Sequence, residues 1–367
     1  MKKNNLLFAG AIAASLLALT GTVFPHLQPK ENNLTAMLQK KESNLTMYWI
    51  DTEGGGATLI VTPAGESVLI DTGNPGGRDA NRILAVARDV ADLGQIDHLI
   101  ITHWHIDHYG GAAELAKQMP IIEVHDKGIP ETLSEDAAFA ERIKPYRDMT
   151  VKKRTLLKPN QNLSLKSLAK GSPNLSLRLV GVDKKFVAVT KNSQAGNDCA
   201  TTTDKPIDTS DNANSLVLVM DYGPFRFFDG GDLTWNVEKN LVCPQNLIGT
   251  VDVYQVNHHG LDQSNNPVLV KNLAPTVSIM NNGTRKGCGP QTVTTLRQTP
   301  SIQAAYQLHK NIRDDAQFNT QEQYIANLEE NCQANYIKLT VAPDGKKYTV
   351  NIPATNHQKT FTTKSVH

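Results

Sequence analysis

The sequence predicts an α+β fold: an αββα sandwich of two mixed β-sheets packed face to face, with helices on the outer faces. Three observations predict it. Short β-branched or apolar runs punctuated by Gly and Pro fall into two blocks. Segments with apolar residues at helical spacing alternate with those runs in both blocks. No composition break separates the blocks and no internal repeat recurs, so one domain holds both.

The first block opens with "LTMYWID", "ATLIVTP" and "SVLIDTG", which read as strands separated by Gly54–Gly56 and Pro63-Ala64-Gly65. Helical spacing follows from about Arg78 to Leu93, then the strand "HLIIT", the helical "GAAELAKQM" and the strand "PIIEVH". Residues 126–172 are polar and partly helical, and read as an insertion over one face. In the second block "LSLRLVGV", "NSLVLVMD" and "FRFFDGG" are strands, the last two joined across Tyr222-Gly223-Pro224. A helix is expected over about Thr234–Leu241, then the strand "VDVYQVN", a helix around Pro267–Leu273, the strand "TVSIMNN" and a helix after Pro290. "YIKLTVAPDGKKYTVNI" reads as a hairpin turning at Asp344-Gly345. The domain is placed at 45–355, with a C-terminal tail over 356–367.

The 37 basic and 36 acidic residues leave a charge of +1, which gives no general attraction to nucleic acid or anionic membrane. A small molecule is the expected partner, and any anionic group on it must be held locally. The N-terminus has the layout of a signal peptide over 1–22: Lys2-Lys3, an apolar stretch from Leu6 to about Leu19, then small residues. That stretch is shorter than the roughly 20 residues a spanning helix needs. No stable membrane anchor is therefore expected, and the chain is read as periplasmic or secreted, with a polar tether over 23–44. In an oxidising compartment the four cysteines (Cys199, Cys243, Cys288 and Cys332) imply two disulfides. The sequence does not choose among three pairings; Cys288–Cys332 is preferred as closing the C-terminal region.

"ITHWHIDHYGG", residues 101–111, carries the chemistry. His103 and His105 are two apart, so on an extended segment both point to one side. Asp107 and His108 follow where the chain turns toward a helix. One loop thus offers two imidazoles to one metal ion, and a carboxylate with an imidazole to a second. Neutral imidazole and carboxylate suit zinc, manganese or iron. Crowding of this kind after an apolar strand and before Gly-Gly is specific.

"HWHIDH" resembles the H-x-H-x-D-H signature of the metallo-β-lactamase superfamily. Three further stretches fit in order over about residues 45–280. "LIDTG", with Asp71 and Gly73, resembles the strand-end Asp-x-Gly, whose carboxylate supports a ligand. "DGGDL" resembles the Gly-Asp whose carboxylate, here Asp232, bridges two metals. "VNHHG" resembles the last metal-binding His. Of the adjacent pair, one is expected on metal and one toward substrate, because neighbours leaving a strand point apart; His259 is assigned to the metal and His258 to the substrate side. Within the superfamily, "NSLVLVMDYG…FFDGGDL…NHHG" looks most like the branch of the ComEC competence proteins and phosphorylcholine esterases. Two departures stand out. The third His that many relatives supply to the first metal is missing, and "DNANS" occupies its place; "NNGTRKGCGP", with Arg285 and Lys286, replaces a His-Pro loop. The two cations are expected to bind an anionic substrate group.

The resemblance implies a dinuclear hydrolase with two Zn2+ ions, Mn2+ or Fe being alternatives. A metal-activated water would cleave a phosphodiester or other small anionic ester. Asp107 would orient that water or receive its proton, and His258 would act on the oxyanion or leaving group. A carboxylic ester, lactone or β-lactam is the alternative substrate. The rival of another class is a secreted binding protein on a degenerate metallo-hydrolase scaffold.

Overall fold

The computed structural model describes residues 44–189 and 194–364. The expected signal peptide and nearly all of the tether lie outside the described residues. Two large sheets carry the fold, and apart from them Gln194–Ala195 (β9) pairs antiparallel with Gln245–Asn246 (β12). The first has nine strands in the order His357–Thr362 (β19), Lys347–Ile352 (β18), Ile337–Val341 (β17), Leu45–Trp49 (β1), Thr58–Val61 (β2), Ser67–Ile70 (β3), Ile96–Ile100 (β4), Ile121–Asp126 (β5) and Lys153–Leu156 (β6). Its strands run antiparallel up to β3, and β3 to β6 run parallel. The second has eight strands in the order Ile325–Asn327 (β16), Ala304–His309 (β15), Val277–Met280 (β14), Val253–Gln255 (β13), Phe225–Asp229 (β11), Val217–Tyr222 (β10), Leu175–Val182 (β7) and Lys185–Phe186 (β8). In it β11, β13, β14, β15 and β16 run parallel.

Three apolar layers follow from the alternation of side chains along these strands. Met47, Ile60, Val68 and Ile100 from one sheet meet Leu179, Leu218, Phe227, Val253 and Ile279 from the other, forming the core between the sheets. Leu59, Leu69, Leu99 and Val124 point the opposite way, onto the helix Arg78–Leu84 and Leu115 of the helix Ala112–Ala116. On the far side, Val219, Phe228 and Tyr254 meet the helices Pro267–Leu273 and Pro290–Gln298. The order helix, sheet, sheet, helix is the predicted αββα sandwich.

Two boundary expectations are corrected. The supposed tail over 356–367 contains β19, whose six residues pair in full with β18, so sheet extends past residue 355. The supposed insertion at 126–172 is partly framework. Phe139, Ile143 and Tyr146 are buried in the outer layer, and β6 extends the first sheet beside β5.

The cysteine expectation is corrected as well. Cys199 bonds Cys243 across 44 residues, whereas Cys288 and Cys332 are free. They cannot pair because they belong to different surroundings. Cys288 is buried in the outer layer of the second sheet, with Gln307 Nε2 donating to its Sγ, while Cys332 Sγ lies 3.2 Å from Asp51 Oδ2. Alkylating denatured, unreduced protein is therefore expected to modify two thiols per chain, and reduction should expose two more; no reactive thiol before reduction would contradict this pairing.

Candidate metal centre

The loops that leave the parallel strands at one end meet in a single cluster. Asp71 follows β3, the motif Thr102–His108 follows β4, Asp232 follows β11, His258 and His259 follow β13, and Asn281 follows β14. Glycines permit the close approach. A Cβ on Gly56 would lie 2.9 Å from His108 Nδ1 and 3.0 Å from Asp71 Oδ2, and one on Gly55 would lie 2.5 Å from the Asp107 carbonyl. Gly231 adopts φ 55° to turn Asp232 inward, and its N–H donates to Asp229 Oδ1.

Asp232 Oδ2 is the hub. It lies 3.2 Å from His259 Nε2, 3.3 Å from His108 Nε2, 3.6 Å from His258 Nε2 and 3.8 Å from His103 Nε2. Asp107 Oδ2 is 3.3 Å from His259 Nε2 and 3.6 Å from His108 Nε2. Two overlapping sets place a donor atom from each member within 4.8 Å of the others: His103, His108 and Asp232, and then Asp107, His108 and His259.

The outer contacts decide which ring nitrogen is free. His108 Nδ1 donates to Asp71 Oδ2 at 2.7 Å, and His259 Nδ1 donates to the Asn281 carbonyl at 3.1 Å. The Thr102 hydroxyl donates to Asp71 Oδ2 at 2.7 Å, so it accepts from His103 Nδ1 at 3.1 Å. Each Nδ1 is thus engaged outward, and each Nε2 faces the carboxylates, with His108 Nε2 and His259 Nε2 3.2 Å apart. Carboxylates packed this closely require positive charge among them, from a protonated imidazole or from a cation that the Nε2 atoms would bind. His103 Nε2 is fully buried and has no hydrogen-bond partner. This donor set fits divalent cations.

The charges agree. Burial, the largest influence on His108, disfavours its charged form, but Asp232, Asp71 and Asp107 outweigh it and hold its pKa well above the ordinary histidine range. Burial likewise opposes ionisation of Asp232, yet His108, His259 and His258 keep its carboxyl well below the usual range. Burial first, then His108, pushes His103 well below its ordinary value. The carboxylates draw positive charge into the pocket, and a metal ion can supply it.

Among the predicted residues, the structure brings together Asp71, His103, Asp107, His108, Asp232, His258 and His259. His105 stands aside. Its ring centroid is 4.8 Å from that of His103, but its Nε2 lies 3.2 Å from Glu135, a carboxylate that the 126–172 segment carries in. Lys286 Nζ donates to Asp107 Oδ2 at the centre, whereas Arg285 faces outward and pairs with Glu330 at 3.3 Å, both largely exposed. The strand argument for the His pair also needs correction. β13 ends at Gln255, and His258 and His259 sit in a left-handed turn with φ 52° and 54°. That turn aims both Nε2 atoms at Asp232, so alternation does not separate them; their outer contacts do. His258 Nδ1 meets Ser264 Oγ at 3.2 Å and its Nε2 meets Asn212 Nδ2 at 3.3 Å.

Several participants escape sequence reasoning. Thr102, Ser264 and the Asn281 carbonyl carry no motif signal, and Asn212 lies in the "DNANS" stretch with no role read for it. Glu238 accepts from Asn257 Nδ2 at 2.6 Å, Asn265 N at 2.8 Å and Asn266 N at 2.7 Å, and so clamps both ends of the loop that holds the His pair. Only the Gly54–Gly56 run, directly after a strand, offers a signal that backbone must pass close by.

Residues 51–197 match the family model described as metallo-beta-lactamase superfamily. The match covers less than half of the chain and includes the His103–His108 motif. Among curated proteins it is 33% identical over 110 residues to "UPF0173 metal-dependent hydrolase" of Polynucleobacter asymbioticus, covering 30% of this chain and 34% of that one. It is 38% identical over 72 residues to "Thioesterase pkgB" of Emericella nidulans, covering 19% and 20%. The chain thus spans about a third of the length of the first curated relatives it matches, or less. Among solved structures, CmlA, a diiron beta-hydroxylase from Streptomyces venezuelae, is 16% identical with a TM-score of 0.41, covering 72% of this chain and 52% of that one. A metallo beta lactamase from Hirschia baltica is 18% identical with a TM-score of 0.26, covering 51% and 64%.

Proposed function

We propose that this protein is an exported metal-dependent hydrolase that holds two divalent cations, zinc first, and acts on a phosphodiester or other small anionic ester. The observation that carries this reading is the convergence of the Nε2 atoms of His103, His108 and His259 on the carboxylates of Asp107 and Asp232. His103 and Asp232 would serve one ion; Asp107, His108 and His259 would serve the other, with Asp232 shared. Rotation of His105 away from Glu135 would add it to the first. Asp71 sets the ring of His108 and, through Thr102, that of His103.

Cations held by these residues would supply Lewis acidity and a water of lowered pKa. Asp107 would orient such a water or take its proton. Lys286, already at Asp107, is placed to receive an anionic oxygen of the substrate. Burial pushes His258 down to about 4, so its imidazole is neutral near pH 7, with Nε2 accepting from Asn212 Nδ2 and Nδ1 donating to Ser264 Oγ. Its role at the oxyanion or leaving group is carried by the other tautomer, with the proton on Nε2. Export is supported by the signal-like N-terminus and by the Cys199–Cys243 disulfide. Among the described residues no helix is long and apolar enough to cross a membrane.

The branch resemblance of the downstream motifs favours a phosphodiester. The name of the Emericella relative favours an acyl bond, and the same centre would polarise either a phosphoryl or a carbonyl oxygen. A chromogenic panel of phosphodiester, phosphonate ester, carboxylic ester, thioester, lactone and β-lactam tests this. One class should be turned over, activity should disappear with a chelator, and zinc or manganese should restore it. No turnover of any class by metal-loaded protein would overturn the reading.

A further inference from the structure

A cavity of about 310 Å³ shares its walls with the loops of the metal centre. Its floor is built from Thr234 and Trp235, which follow Asp232 closely in the chain, and from Gln263, soon after His259. Pro206 and Ile207 line it from the loop that runs on into Asn212, and Asn212 Nδ2 meets His258 Nε2 at 3.3 Å. Ile207 is 81% exposed, the most exposed large apolar side chain among the described residues. Ile207 thus lines the cavity with most of its surface open to solvent.

The lining is also cationic. Lys205 lies over the Trp235 ring with Nζ 3.6 Å from the centroid, and it donates to the Asp262 carbonyl and to Gln291 Oε1. Lys184 joins it from the turn between β7 and β8. The one carboxylate of the lining, Asp208, is engaged in its own turn, where Oδ1 accepts from Ser210 N at 2.7 Å. Apolar wall and cationic side together match a molecule that has both an apolar chain and a negative group.

We propose that this cavity is a substrate subsite and that the substrate is an amphipathic anion. Its apolar arm lies along Pro206, Ile207 and Trp235, its anionic group sits at the Lys184 side, and its scissile bond reaches the metal centre. This assignment rests on the hydrolase reading, and the experiment separates the two. The probes are octanoate and acetate, bound to zinc-loaded protein and followed by the fluorescence of Trp235, with W235F identifying the signal. Octanoate should bind at least tenfold more tightly than acetate, and Ile207→Asp should remove most of that preference. In the bond class the enzyme cleaves, the ratio of kcat/KM for an octyl-armed over a methyl-armed 4-nitrophenyl substrate should fall about tenfold in I207D. Equal binding of the two acids, or hydrolysis with a chain-length preference that I207D leaves unchanged, would overturn the subsite. Octanoate binding that I207D abolishes, in a protein that hydrolyses nothing, would overturn the hydrolase reading and keep the subsite.

Discussion

Asp232→Ala should cost the protein its bound metal and reduce hydrolysis on the order of 10³-fold. Asp232 Oδ2 faces the Nε2 atoms of His103, His108, His258 and His259, whereas Asp107 reaches only His108 and His259. Without Asp232, the buried His103 Nε2 keeps no carboxylate near it. The loop itself should survive, because the Asp232 backbone N–H is held by Ser215 Oγ at 3.2 Å and Gly231 N is held by Asp229. Asp232→Asn keeps the shape and removes the charge, so the two variants separate charge from packing. Circular dichroism confirms that each is folded, and elemental analysis reads the metal. Full metal content with full activity in both variants would remove Asp232 from the centre.

The second large effect separates His258 from His259. His259 Nε2 is within 3.3 Å of both Asp107 and Asp232, and its Nδ1 is fixed by the Asn281 carbonyl. His259→Ala should therefore lower metal content and activity together. His258 has a different setting: Asn212 and Ser264 hold its two ring nitrogens, and its distance to Asp232 is longer, at 3.6 Å. His258→Ala should leave the metal in place and slow turnover by roughly 10²–10⁴-fold. Loss of metal in H258A with retention in H259A would reverse the assignment. Such a reversal would make His258 the substitute for the third imidazole that the sequence does not supply.

Much of this site is legible in the chain because metal chemistry needs particular residue types at short spacing. His103, Asp107 and His108 share one loop, and Asp71 and Asp232 each follow an apolar strand. The two sheets were legible for a similar reason, since runs such as "HLIIT" and "SVLIDTG" alternate between two buried faces. What stayed hidden depends on contacts between distant segments. Glu135 captures His105 from the segment read as an insertion, and Glu330 turns Arg285 away. The left-handed conformation of His258 and His259 has no local signature, so strand alternation does not describe how the pair is placed. Of the two disulfides expected, Cys199–Cys243, the complement of the preferred Cys288–Cys332, is present, and Cys288–Cys332 is not, because the fold sets those two cysteines in different surroundings. Residues 356–367 looked like a tail because their polar alternation suits an edge strand with one face in water.

The central claim is that these histidines and carboxylates hold metal. Its most direct measurement is the metal content of the purified protein, stripped with a chelator, reloaded with zinc, and dialysed against metal-free buffer before elemental analysis. The account predicts about two ions per chain, falling with Asp232→Ala and unchanged by Ile207→Asp. Zinc-loaded protein that retains no metal after dialysis would contradict it.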